Sequence, residues 1–137
     1  MYDVVALGEA MLRLSPPNFM RLEQTNIFDV NVGGTELNTC VGVARFGMKT
    51  AWVTKLLRSP LGRLVANKAR EQGIDTLHIV WSDEGRVGIY YLELGSTPRA
   101  SEVFYDRKDS AVSKLRPGEV NWPGILKGTK LFLTSGI

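Results

Sequence analysis

Apolar residues along the chain cluster in two ways, as short continuous runs and as alternating stretches. The runs YDVVALGEA (residues 2–10), MKTAWVTKL (48–56), IDTLHIVW (74–81) and KLFLTSGI (130–137) are apolar-rich stretches of eight or nine residues. Runs of this kind read as strands buried on both faces of a parallel sheet. MLRLS (11–15) and NIFDVNV (26–32) instead alternate apolar with polar, the signature of half-exposed strands, with SPPN as a turn after the first. RVGIYYLEL (86–94) and RASEVFYDR (99–107) face each other across GSTP and predict a hairpin.

Two segments carry helical periodicity. In TELNTCVGVARFG (35–47), Leu37, Cys40, Val41 and Ala44 share one face, Thr35 is placed as N-cap, Asn38 sits where a capping box would hold Glu or Gln, and Gly47 marks the stop. In SPLGRLVANKAREQG (59–73), Ser59 is placed as N-cap, Pro60 as first helical residue and Gly73 as the stop. DSAVSKLRPGEV reads as a loop and EVNWPGILKG as a short helix. The order β, two β, α, β, α, β, hairpin, α, β predicts an α/β fold with a parallel sheet. The alternating strands, inserted at two places, do not fit that sheet and are expected to pair with each other as a small separate antiparallel sheet. No internal repeat or low-complexity segment interrupts the pattern.

Composition narrows the function classes. The 137 residues are 44% hydrophobic and 23% charged, the profile of a globular domain with a sizeable core. No apolar stretch reaches the ~20 residues of a membrane span, and the N-terminus reads as a strand, not a signal peptide. A single cysteine, Cys40, permits no internal disulfide, and a cytoplasmic setting is expected. The net charge of +3 comes from 17 basic and 14 acidic residues that are interleaved, so the basic block of a nucleic-acid binder is missing.

The one Gly-Gly pair stands in NVGGTELN, between an alternating strand and a helix. A phosphate cradle would need GxxxxGK[ST] or GxGxxG, and neither occurs. Two readings stay open: a tight turn, or bare backbone against which a polyol lies, with Asn38 adding a side-chain amide. His78, the only histidine, lies in an apolar strand pattern without a catalytic or metal-ligand partner and reads as structural. Cys40 reads as a small core residue, and Trp52, Trp81 and Trp122 as packing residues.

GEAMLRLSP, GGTELNTCVGVARFG, PLGRLVANKAREQGI and the YY…YDRKDSA hairpin occur in that order and span essentially the whole chain. Together they resemble the N-terminal part of the ribokinase/PfkB family of sugar kinases. The run GIYYLELGSTPRASEVFYDRKDSA is most similar to the 2-keto-3-deoxygluconate kinases within it. The resemblance implies a ribokinase-like fold, a mostly parallel sheet flanked by helices with a small β-sheet lid. Residues 1–137 would be the N-terminal part of that domain, with lid segments at about 11–32 and 86–107.

For the site, the resemblance implies that Gly33 and Gly34 present backbone to the sugar and that Asn38 adds a polar contact. Glu9 follows the first strand where such folds bind ligands, and stands where the family often has Asp. Tyr90, Tyr105 and Arg107 match lid positions that hold a sugar acid; a planar guanidinium suits a carboxylate. For the tyrosines the alternative is a packing pair within the lid, and for Arg107 a solvated charge beside Asp106 and Asp109. Ser135, Gly136 and Ile137 fall at the carboxyl edge of the last strand and are expected at the pocket floor.

The family's chemistry is phosphoryl transfer from ATP, assisted by Mg²⁺, with an Asp of a GAGD motif as base. No GAGD occurs, so no catalytic residue is assigned in this chain, and ATP and Mg²⁺ are expected in the complete enzyme and not on this chain alone. The expected function is an ATP-dependent kinase of 2-keto-3-deoxygluconate or a related sugar acid, represented by its substrate-binding N-terminal half. The alternative is a short non-catalytic sugar-binding or dimerisation module derived from such a kinase. A homo-oligomer through the lid is expected, and neither nucleic acid nor membrane as partner.

Overall fold

A computed structural model describes residues 1–135; Gly136 and Ile137 lie outside the described residues. The chain builds two four-stranded sheets. The first is wholly parallel, in the order β5-β4-β1-β8, from β1 (Val4–Leu7), β4 (Thr50–Leu57), β5 (Ile79–Ser82) and β8 (Leu131–Thr134). The second, in the order β3-β2-β6-β7, joins β2 (Met11–Ser15), β3 (Asp29–Gly33), β6 (Ile89–Glu93) and β7 (Glu102–Asp106).

In the parallel sheet, successive side chains bury on opposite faces, which is why its strands read as continuous apolar runs. Ala6, Trp52 and Leu56 point to one face, where they pack with Leu37 and Cys40 of α1 (Thr35–Arg45) and Val65, Ala66 and Ala69 of α2 (Pro60–Glu71). Val5, Ala51 and Val53 point to the other and pack with Val120 and with Ile125 of α3 (Trp122–Leu126). Trp52 is fully buried, and its indole N–H donates to the Gly8 carbonyl at 3.2 Å, so the ring costs no unpaired donor.

The helix signals act as read in α2: the Ser59 hydroxyl accepts from the Gly62 N–H and Pro60 opens the helix. Gly47 and Gly73, at φ of 78° and 80°, supply the left-handed residue that ends α1 and α2. Asn121 caps α3 through the Gly124 N–H.

Several expectations are corrected. Thr35 is the first residue of α1 and not its cap; Gly34 takes the N-cap position with extended backbone and no side-chain cap, and no capping box forms at Asn38. The first strand ends at Leu7, and the 74–81 run is a strand only from Ile79, because Asp75 turns the chain by accepting from the Leu77 N–H. The alternating stretch 26–32 enters its sheet only at Asp29. The loop after residue 109 contains a 3-10 turn, Val112–Lys114, and inserts Ser110, Ala111 and Val112 into the interior. The last strand is described to Thr134.

The second sheet is mixed, not antiparallel. The two hairpin-like pairs β2–β3 and β6–β7 are antiparallel, but β2 and β6 meet in parallel, with Arg13 opposite Tyr90 and Leu14 opposite Tyr91. The chain enters β2 from the carboxyl end of β1 and β6 from the carboxyl end of β5, the same end of the parallel sheet, and the two strands run the same way when they pair.

Two tyrosine and lysine sites tie the margins together. The Tyr2 hydroxyl donates to Asp75 at 2.7 Å and lies 2.9 Å from His78 Nε2; burial, with Asp75, pushes its pKa up to about 12. Lys55 Nζ donates to both carboxylate oxygens of Glu119 (2.7 and 3.0 Å) and to the Lys114 carbonyl, pinning the loop before α3 to the sheet. Thus His78 is held in a structural cluster, and Cys40 is a buried free thiol whose pKa burial raises to about 11.

Candidate active site

The strand order places a reversal between β1 and β8. From β1 the chain crosses to β4 and then β5 with α1 and α2 on one face, whereas β8 lies on the opposite flank of β1 and is reached past α3 on the other face. Open α/β sheets leave a crevice at the carboxyl end of such a reversal. Here that crevice is an open cleft of about 410 Å³, walled on one side by the second sheet.

All seven residues singled out in the sequence line it: Glu9, Gly33, Gly34, Asn38, Tyr90, Tyr105 and Arg107. They arrive from four places. Glu9 lies two residues beyond β1, Gly34 and Asn38 belong to the cap and first turn of α1, and Gly33 ends β3. Tyr90 and Tyr105 are directly opposed across β6 and β7, and Arg107 follows β7. Because strand side chains alternate, the register puts Tyr90, Leu92, Val103 and Tyr105 on the one face that looks into the cleft.

The Gly-Gly pair is explained by close approach. Neither glycine adopts positive φ, so no turn demands them. A Cβ on Gly34 would collide with the Glu9 carbonyl oxygen and stand 2.9 Å from Ala10 Cα, so α1 can begin against the Glu9–Ala10 main chain only without a side chain. A Cβ on Gly33 would meet the Tyr90 hydroxyl. The missing side chains therefore let β1's exit, the start of α1 and Tyr90 converge on one wall.

Arg107 and Glu9 form an ion pair across the boundary between the two sheets, with Nη2 2.5 Å from Oε2. The approach is off the N–H direction, so Oε2 is a buried carboxylate oxygen without a hydrogen bond. Glu9 is 7% exposed and its Oε1 packs over Gly88, where a Cβ would stand at 2.8 Å. The Arg107 side chain, about a third exposed, has further N–H donors beside Nη2. Its ion-pair partner is Glu9 and not Asp106, which Arg86 takes through two 2.7 Å hydrogen bonds. That pairing holds the Asp106 carboxyl below the usual carboxylate range. Tyr90 and Tyr105 pack on each other, centroids 5.8 Å apart, and line the cleft as well, so packing and cleft formation are one arrangement.

The cleft also contains residues that the sequence reading did not single out: Met11, Thr35, Glu36, Leu92 and Val103. Met11, Leu92 and Val103 give apolar wall, readable only once the strand register is known. Glu36 carries a first-turn carboxylate that reads in sequence as a helix-dipole partner, and its place in the wall depends on contacts with Gly8 and Ser135. Ser135 lines the cleft as expected; Gly136 and Ile137 lie outside the described residues. The N-terminus of α1 opens on the cleft with its first amides free of helical acceptors, an environment favourable to an anion. Among the described residues no group of three His, Cys, Asp or Glu side chains converges on a metal-sized site, and no helix is long and apolar enough to cross a membrane.

Comparison with known proteins agrees with this geometry. The model of the pfkB family of carbohydrate kinases matches residues 1–136. The chain is 41% identical over 135 residues to a 2-dehydro-3-deoxygalactonokinase of Haloferax volcanii, covering 98% of this chain and 42% of that protein. It is 34% identical over 137 residues to a 5-dehydro-2-deoxygluconokinase of Shouchella clausii, covering 98% and 41%. The crystal structure of 2-dehydro-3-deoxygluconokinase from Thermotoga maritima superposes with a TM-score of 0.92 at 42% identity, over 96% of this chain and 40% of that one. The chain thus spans about two fifths of the length of the relatives it matches. With its ribokinase-like arrangement of two sheets and its matched sequence, the chain belongs to the pfkB family of carbohydrate kinases.

Proposed function

We propose that this chain supplies the sugar-acid site of an ATP-dependent kinase acting on 2-keto-3-deoxygluconate or a closely related keto-deoxy sugar acid. The observation that carries this is Arg107 at the cleft wall with donors to spare, beside the amino end of α1. A guanidinium and a helix N-terminus together favour a carboxylate. Asn38, Glu9 and the two tyrosine hydroxyls are the hydroxyl-binding groups, and Met11, Leu92 and Val103 the apolar wall for the ring carbons or chain. The relatives named for keto-deoxy sugar acids support the same substrate class. In this reading the second sheet is the lid, built from about 11–32 and 86–107, and the surroundings are cytoplasmic.

Transfer from ATP with Mg²⁺ would supply the chemistry when those groups are bound. In this reading the chain's own part is to bind the acid, orient its reacting hydroxyl and keep water from the cleft. The alternative of a short non-catalytic binding module rests on the same cleft and differs only in having no catalytic partner.

The reading also favours a homo-oligomer through the second sheet. Phe104 of β7, on the face turned away from the cleft, is 47% exposed, apolar surface at the sheet edge that a second copy would cover. Sedimentation should then show a dimer that Phe104→Asp dissociates; a monomer at all concentrations would refute it.

The substrate assignment is tested by calorimetry with 2-keto-3-deoxygluconate. Arg107→Ala should weaken binding about 30-fold or more, the loss expected when one partner of a desolvated charge pair is removed. Arg107→Lys should recover part of it, and a neutral hexose should not respond to either change. Equal affinity in wild type and Arg107→Ala would sink the assignment.

A further inference from the structure

Glu36 is an acidic cleft residue to which the proposed reading gives no role. It is 3% exposed, more deeply buried than Glu9. Its Oε1 accepts from the Ser135 N–H at 2.8 Å and also from the Ser135 hydroxyl. Its carboxyl and Cγ lie over Gly8, where a Cβ would collide with them. One side chain in the first turn of α1 therefore touches the segments leaving both β1 and β8, the two strands that flank the reversal.

β8 pairs with β1 in a ladder that ends at Leu7 opposite Thr134. Ser135, the first residue past the ladder, is fixed by Glu36. A carboxylate suits this task because one oxygen accepts two charge-assisted hydrogen bonds. The start of α1 offsets the burial of its charge.

We infer that Glu36 is a positioning residue for the ligand: it clamps the main chain after β8 into the cleft floor and acts on the bound molecule through Ser135. The inference rests on the reading of the cleft as a sugar-acid site, and its test separates the two. Amide hydrogen exchange at Ser135, with Val5 and Val53 as core references, is measured beside the affinity for 2-keto-3-deoxygluconate in wild type, Glu36→Ala and Glu36→Gln.

Glu36→Ala should speed Ser135 exchange about tenfold or more while Val5 and Val53 keep wild-type rates, since the opening is local. It should weaken the ligand by about the same factor, roughly the worth of one charge-assisted hydrogen bond. Glu36→Gln, which retains an acceptor oxygen, should restore Ser135 protection and most of the affinity. Three results would overturn the inference: unchanged Ser135 exchange in Glu36→Ala, equal acceleration at Val5 and Val53, or a loosened Ser135 with full affinity. A wild-type chain that takes up no sugar acid would overturn the substrate reading instead, and the clamp would then stand or fall on the exchange rates alone.

Discussion

The two sheets are built on different terms. β4 buries seven of its eight residues, and Val5, Ala6, Trp52 and Val53 are wholly enclosed between helices. β7 buries none, and β3 only its last residue, Gly33. The first sheet is held mainly by the hydrophobic effect; the second buries only its inner strand β2 deeply, and its outer strands rely on their ladders, on aromatic pairs such as Phe28–Tyr91 and Tyr90–Tyr105, and on the Arg86–Asp106 and Arg99–Glu93 pairs. They are joined by Leu12, Val32 and Ile89 of the second sheet, which pack into the core around Trp52, and by two close contacts: Arg107 on Glu9, and Gly34 against the main chain of residues 9 and 10. The difference teaches where to look for function. The rigid sheet fixes the position of the cleft, and the weakly buried sheet supplies most of the side chains that would read a ligand.

The comparison breaks most clearly at Trp52. Trp52→Ala should cost about 3–5 kcal/mol, enough to unfold much of a marginal domain, whereas Val103→Ala on the second sheet should cost less than about 1 kcal/mol. Urea titration of both variants checks this; comparable losses would mean that the second sheet is as buried in solution as the first.

A smaller difference is expected at the joint. Gly34→Ala drives a methyl into backbone and should destabilise by about 1–3 kcal/mol. Gly33→Ala meets only the end of the Tyr90 side chain, which can swing away. It should leave the melting temperature nearly unchanged and reduce sugar-acid affinity. A Gly33→Ala variant with lower stability but intact affinity would reverse the assignment of the two glycines.

The smallest effect concerns acid. Arg86 holds Asp106, and Lys55 holds Glu119, below the usual carboxylate range, chiefly through their hydrogen bonds. Folded-state values lowered in this way give stability that is fully present above about pH 5, where an unfolded carboxylate is ionised, and lost as pH falls through the lowered values. Asp106→Asn should flatten the acid limb for signals from the second sheet, and Glu119→Gln for those from the parallel sheet. Identical acid limbs in both variants and wild type would remove the two pairs from the account of stability.

Much of this architecture is legible in the sequence because burial writes itself into periodicity. The runs around Val5 and Val53 give the parallel sheet, and Ser59-Pro60 with Gly73 bracket α2. The parallel pairing of β2 with β6 is not legible, because local pattern speaks for hairpins and the pairing is decided by where both strands leave the first sheet. The seven cleft residues could be named through resemblance, but the reason for Gly33 and Gly34 could not. Their missing side chains make room for Glu9, Ala10 and Tyr90, which are distant in sequence. Glu36 escaped notice for the same reason, since its partners Gly8 and Ser135 meet it only in the folded chain.

The central claim is that the cleft reads a carboxylate through Arg107. Amide and tyrosine-ring NMR shifts of the chain, followed during titration with 2-keto-3-deoxygluconate and, separately, with a neutral hexose, test it most directly. The account predicts that the acid alone perturbs Gly34, Asn38, Tyr90, Tyr105 and Arg107 together, and that Arg107→Ala abolishes the response. Perturbations away from these residues, or an equal response to the neutral sugar, would contradict it.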